Sequence, residues 1–177
     1  VPESSVTFLW RARNGAEPIR EPGGMAIAPD GNIWIAEGGK HRILIFSPGG
    51  KLLDAWGEKG SGDGQFDFYW PDGGGSYGSV AFDREGNIFV ADTGNDRIQK
   101  FDRNRQFVTS WDRSGPDDST LTAPVSVATD ADGNVFVSRD VGIVKFSNDG
   151  EFLANIGSYG SKPDQYRCTA LLGVDPG

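Results

Sequence analysis

The sequence predicts an all-β fold, and three observations carry that reading. First, residues 78–111 hold four short runs rich in β-branched and aromatic side chains, Ser79–Phe82, 88–91, Arg97–Phe101 and 106–111, separated by turn residues at 83–87, 92–96 and 102–105. Such runs, broken by Asp, Gly and Asn, are the pattern of an up-and-down antiparallel sheet. Second, the pattern recurs on both sides. Residues 24–37 lead into 41–46 and 51–56, and residues 125–138 lead into 143–146 and 151–156. Third, the Gly-Asn landmarks at Asn32, Asn87 and Asn134 are spaced 55 and 47 residues apart. A lone four-stranded sheet cannot bury both of its faces, so repeated sheets must stack. Three copies at this period predict a β-propeller with four-stranded antiparallel blades at 22–57, 77–112 and 124–157.

Taken in order, Val6-Thr-Phe-Leu-Trp10 matches Phe107-Val-Thr-Ser-Trp111 and reads as the outer strand, 6–10, of a preceding blade. Three blades follow. Residues 166–177 then read as the start of another, with Gly173-Val-Asp-Pro-Gly177 echoing the approach to Pro29-Asp-Gly-Asn32. Propellers close with four blades or more, so an incomplete ring is expected. Its open flanks would be covered by remaining blades of a longer chain or by self-association. The start at Val1 rather than Met leads one to expect a leader or a longer N-terminal portion ahead of it.

In each blade the first strand is expected to line the channel and the fourth to lie outermost. The turns at 29–32 and 48–50 form one rim, and their Asp-Gly and Gly-Gly pairs supply the positive φ of tight hairpins. The second-to-third turns and the connections between blades form the other. Glu37 and Arg42 flank that turn in the first blade, and Asp92 and Arg97 do so at the same separation in the second. In the third, Arg139 replaces the acid and a shortened turn loses the Arg. Acid and Arg disappear together, as expected of a carboxylate–guanidinium clamp with a structural role. Trp10, Trp56 and Trp111 recur at one strand end, with Ile156 in the third blade, which reads as packing between blades.

The connection 58–77 carries the eight-residue excess of the longer spacing. Insertions on a rim are where loops carry function. Phe68, Tyr69, Trp70 and Tyr77 stand here among glycines and are the candidate rim contacts, since amphipathic aromatics suit a binding surface. The alternative for the aromatics at 68–70 is that they fold inward and plug the seam between blades.

Two stretches, Asp30-Gly-Asn-Ile-Trp-Ile-Ala36 with His41-Arg42-Ile43, and Gly86-Asn-Ile-Phe-Val-Ala-Asp-Thr-Gly-Asn-Asp-Arg-Ile-Gln-Lys-Phe101, resemble the NHL-repeat family. The linker Trp56-Gly-Glu-Lys-Gly-Ser-Gly-Asp-Gly-Gln-Phe66 does too, so the resemblance covers nearly the whole chain. It implies a propeller, typically six-bladed, with Phe66 at a packing position and His41 at a characteristic turn position. It implies no single activity, because such propellers serve as binding platforms, sensor domains and some enzymes. Streptogramin lyase, gluconolactonase-type hydrolases and the amidating lyase, which resemble this fold, place His or acidic metal ligands around the channel mouth. The matching positions here are mostly Met25, Ile27, Val80, Phe82, Val125 and Val127, which are apolar. Bacterial relatives are often secreted or attached to the cell surface, so the resemblance implies an extracytoplasmic setting.

His41 and Cys168 are the only residues of their kinds. That leaves no intrachain disulfide and no zinc ligand set. No phosphate-binding glycine loop precedes a helix, and no helix is expected. Calcium would have only the loop carboxylates Asp63, Asp72, Asp117 and Asp118, which solvation explains equally well. A net charge of −8 argues against a nucleic-acid surface, and no run is long enough to span a bilayer. No catalytic or metal-ligating residue is assigned. The sequence thus reads as a non-catalytic binding or scaffold module that holds a protein, peptide or glycan partner on its rim. The alternative is part of a propeller lyase or hydrolase whose catalytic and metal residues lie in further blades.

Overall fold

In the computed structural model, which describes residues 18–70, 75–115, 120–139, 142–159, 165–166 and 173, the strand runs form three four-stranded antiparallel sheets. The first holds β1 (Pro22–Ile27), β2 (Ile33–Glu37), β3 (Arg42–Phe46) and β4 (Leu52–Trp56). The second holds β5 (Ser79–Phe82), β6 (Ile88–Asp92), β7 (Arg97–Phe101) and β8 (Phe107–Trp111). The third holds β9 (Ser126–Thr129), β10 (Val135–Arg139), β11 (Gly142–Phe146) and β12 (Phe152–Ile156). Each sheet is an uncrossed meander in chain order. A short parallel pair, β13 (Ser158–Tyr159) with β14 (Gln165–Tyr166), follows. The expected strand at 6–10 with its Trp10, Cys168, and 166–177 apart from Tyr166 and Gly173 lie outside the described residues.

Turn chemistry fixes the hairpin registers. In the second sheet Asp83 accepts both the backbone N–H and the side-chain amide of Asn87, each at 2.8 Å, around Gly86 at φ 83°. Asp130 does the same for Asn134 in the third. The second-to-third turns correct one expectation. Gly38–Lys40 and Thr93–Asn95 each wind into a single 3-10 turn, so a little helix is present. Both turns end on a non-glycine residue in the left-handed region, His41 at φ 52° and Asp96 at φ 54°.

Period-2 alternation gives every sheet two faces, and neighbouring sheets bury them against each other. Trp34, Ala36 and Ile43 of the first meet Val80, Ile88 and Phe101 of the second, with Phe66 and Phe68 of the connection wedged between. Trp56 stands edge-on to Phe66 at 5.5 Å and to Phe101 at 4.7 Å, bridging this seam. The next seam joins Phe89, Ala91 and Ile98 to Val127, Val137 and Phe146, with Trp111 5.8 Å from Phe146. Ile156, at the matching strand end of the last sheet, is exposed.

The first strands lie side by side. Gly24 donates its N–H to Gly78 at 2.8 Å, and a β-carbon there would sit 2.3 Å from that of Ser79. Val127 donates to the Ser79 hydroxyl at 2.8 Å across the next junction. An open groove of ≈ 320 Å³ runs along these strands, bordered by Met25, Ile27, Phe82, Asp83 and Thr129. The first strands of all three blades border this groove, as expected of channel-lining strands. Val80 and Val127 reach it while largely buried in the seams, and Val125 is buried too. Met25 and Ile27 are exposed instead, because nothing among the described residues packs on that face of β1. The same flank carries Ile35, Leu44 and Phe46, packed with Ile19, Ile33 and Leu52. Among the described residues no helix is long and apolar enough to cross a membrane.

Because Phe101 is buried at the first seam while Phe107 is 37% exposed, the two should respond differently to truncation. Phe101→Ala should cost about 3–5 kcal/mol of unfolding free energy in urea titration, and Phe107→Ala about 1 kcal/mol or less.

Candidate binding rim

The rim of second-to-third turns and connections is organised by buried acids. Glu37 is fully buried, and Arg42 donates its Nε to Glu37 Oε2 at 2.7 Å. Glu37 Oε1 accepts the backbone N–H of Arg20 at 3.0 Å, from the segment that enters the blade. Asp92 is its counterpart in the second blade. It accepts from Arg97 Nε at 2.8 Å, from the Asp67 N–H at 2.7 Å, and from Asn95 and Gln99 at 3.0 Å. The pairs therefore span their turns and also fasten the incoming connection. Burial raises the Asp92 carboxyl above its ordinary value, against the pull of the Asp67 N–H, Arg97 and Asn95.

The outgoing connection is held by the left-handed residue that closes each turn. His41 Nδ1 accepts the Phe68 N–H at 3.0 Å, and Asp96 Oδ1 accepts the Ala123 N–H at 2.7 Å. In the third blade the polarity is reversed: Arg139 Nη1 donates to Ser114 Oγ of the connection at 3.3 Å. The shortened turn there closes through Gly142 at φ 111°.

The long connection is docked before it rises. Arg97 donates to the Gly62 and Gln65 carbonyls, Asn95 to Gly60, and Gln99 to Gln65. It then forms a hairpin, with Tyr77 N–H donating to Phe68 O at 2.7 Å and Trp70 N–H to Gly75 O at 2.9 Å. The hairpin tip, 71–74, lies outside the described residues.

Of the four candidate contacts, Phe68 is corrected. It is fully buried and stacked on Phe66 at 5.3 Å, a filler of the first seam rather than part of the surface. Tyr69 and Tyr77 are 39% and 37% exposed, and Trp70 is half-buried. Trp70 meets Tyr77 edge-on at 5.4 Å. Tyr69 turns instead toward His41 at 4.6 Å, with the Lys59 ammonium 5.5 Å from its ring. Asp67 completes this cluster, 3.3 Å from His41 Nδ1 and 3.8 Å from Lys59. Sequence reasoning missed Lys59 and Asp67, which carry no signal beyond being polar residues beside an aromatic run. It also missed Gln99, a buried glutamine in a strand position otherwise held by apolar residues.

His41 sits in the scaffold, buried and hydrogen-bonded to the connection. Asp63 lines a groove of ≈ 520 Å³ with Glu58, Gln65 and Arg105. Asp72, Asp117 and Asp118 lie outside the described residues, and among the described residues no three His, Cys, Asp or Glu are placed to hold a metal ion.

The NHL repeat family matches residues 20–46 and 78–101, the segments that contain the two acid–Arg turns. The chain carries NHL repeats. NHL repeat-containing protein 3 of Homo sapiens is 27% identical over 130 residues, covering 71% of this chain and 34% of that protein. A gluconolactonase of Zymomonas mobilis is 39% identical over 54 residues, 27% of this chain and 15% of that one. The chain thus spans about a third or less of these curated relatives. Among solved structures, virginiamycin B lyase from Staphylococcus aureus superposes with a TM-score of 0.55 at 16% identity, covering 78% of this chain and 42% of the lyase. The RRP9 WD40 repeats superpose with a TM-score of 0.58 at 10% identity, over 82% and 39% of the two chains. At such identities the likeness is one of fold. The three sheets are blades of a β-propeller whose first two carry the NHL matches.

Two predictions follow from the NHL turns. Arg97→Met leaves the buried Asp92 without its guanidinium, so unfolding free energy should fall by about 3–5 kcal/mol in denaturant titration. The second concerns pH. Burial holds the His41 imidazole below its ordinary value, outweighing the raising effect of Asp67. The unfolded chain then binds more protons in the window beneath pH ~6.5, so stability is fully present above that value and is lost as pH falls. Thermal melts between pH ~7.5 and ~5.5 should show Tm dropping in the wild type. The drop should shrink in His41→Asn, which tolerates the left-handed backbone and does not titrate.

Proposed function

We propose that the chain is a binding module that holds a protein, peptide or glycan partner on the rim built by its connections. One observation carries the reading: the insertion between the first two blades presents Tyr69 and Tyr77, with Trp70 against Tyr77, on a hairpin fastened to the scaffold by Asp92 and His41. Rigid aromatics contribute large contact area at low entropic cost, and here the Lys59–Asp67 pair supplies charge of both signs beside them. The chain's similarity to the human NHL repeat-containing protein supports a repeat scaffold without naming a partner.

A second reading is favoured by the local similarity to gluconolactonase: a portion of a propeller hydrolase or lyase whose reacting groups lie in further blades. The two separate in one set of measurements. Wild type and the Tyr69→Ala/Trp70→Ala variant are screened against a random-peptide display library and a glycan array. Binders recovered on wild type should lose about tenfold or more in affinity on the variant, at unchanged Tm. Equal affinity for both proteins would defeat the binding module. Turnover of lactones or esters by the full-length protein with divalent metal, unaffected by the same substitutions, would establish the second reading.

A further inference from the structure

The seam between the second and third blades contains a buried polar lock, whereas the first seam is crossed by the more exposed Arg105–Asp54 pair at 2.6 Å. Lys100, only 8% exposed at its side chain, donates to Asn148 Oδ1 at 2.6 Å and to Asp149 Oδ1 at 2.9 Å. Asn148 in turn donates its amide to Asp83 Oδ2 at 3.0 Å, and the Lys100 ammonium lies 5.9 Å from the Phe89 ring. An Asn-Asp turn of one blade is thus gripped by an acid and a lysine of the blade before it, the lysine lying near a phenylalanine of its own blade.

The third blade repeats the gripping half. Lys145 pairs across the ladder with Phe136 as Lys100 does with Phe89, and Asp130 follows β9 as Asp83 follows β5. Phe136 and Lys145 alternate with Val137 and Val144, which face the second blade, so they lie on the opposite face. Lys145 is 5.2 Å from the Phe136 ring and 3.7 Å from Asp130 Oδ2, with a side chain 30% exposed. Both of these partners belong to its own blade. In the third blade these two charges meet directly, whereas in the second Asn148 bridges the corresponding Asp83 and Lys100.

We propose that Asp130, Phe136 and Lys145 form a docking socket for a further four-stranded blade whose third-to-fourth turn carries an Asn-Asp pair. Charge complementarity selects this occupant over a second copy of the chain. A head-to-tail copy would present its first blade, whose corresponding turn, Ser47-Pro48-Gly49-Gly50, offers neither a carboxylate nor an amide side chain to Lys145.

The test grafts the missing complement onto the full chain. The turns at 47–50 and 147–150 share their frame: Ser47 and Ser147 each accept from the residue four along, and Gly50 and Gly150 both take positive φ. Pro48→Asn/Gly49→Asp therefore recreates the Ser-Asn-Asp-Gly turn on the first blade without altering its backbone. Sedimentation velocity on wild type, this variant and the variant with added Lys145→Met gives the self-association constants, with melting curves checking the fold. The graft should tighten head-to-tail association by about tenfold or more, and Lys145→Met should abolish the gain. Association unchanged by the graft, or tightened regardless of Lys145, would overturn the socket. So would a wild type that already forms a Lys145-dependent dimer, since the second copy would then be the occupant.

Discussion

A buried carboxylate at the second-to-third turn is the interaction on which the rim depends. Glu37 and Asp92 lie out of water, where an unpaired charge would be prohibitive, and each is compensated by an Arg and a backbone N–H. The Arg is local, five residues along, whereas the N–H comes from the chain entering the blade. The acid thus converts a turn into an anchor for a remote segment. In the long connection the acid of the second blade and the left-handed residue of the first tie the adjacent residues Asp67 and Phe68, so the chain beyond that point is free to vary in length. That is the physical reason an eight-residue excess can rise from the rim while the strands beneath keep their register.

The same anchoring sorts the aromatic run. The His41 bond to the Phe68 N–H fixes where the hairpin leaves the seam. Phe68 falls on the inner side of that point and stacks on Phe66, and the next residues rise beyond it. Tyr69 closes over the imidazole that holds its neighbour, so the exposed face of the rim and the scaffold hydrogen bond share one small cluster. A surface built in this way is rigid, because moving Tyr69 means disturbing His41, Asp67 and Lys59 together.

Much of the fold was legible in the sequence because its signals are periodic. Strand runs, Gly-Asn turns and acid–Arg turns repeat, and repetition lets one copy interpret another, as when acid and Arg disappear together in the third blade. The single 3-10 turns at 38–40 and 93–95 were not legible, since three residues are too few to show a helical period. Phe68 was ambiguous for a similar reason. Within an aperiodic linker, Phe, Tyr and Trp carry no marker of direction until the hydrogen bond to His41 is known. The donors to Glu37 and Asp92 were invisible because they are backbone groups of residues as unlike as Arg20 and Asp67. The lock of Lys100 to Asn148 joins residues 48 apart, in a register set only when two blades meet.

The two seams differ in what they can discriminate. The first is a dry cluster of Trp34, Trp56, Phe66 and Phe101, whose edge-to-face contacts contribute about 0.5–1.5 kcal/mol each beyond burial but would accept many apolar faces. The second adds Lys100, sunk to 8% exposure, and a lysine in that position tolerates only a neighbour bearing acceptors. A blade stacked in the wrong order would bury its ammonium without a partner, a penalty larger than small differences in apolar packing. Apolar area therefore stacks the blades, and the buried lysine adds a demand for acceptors on the neighbouring face at the second seam.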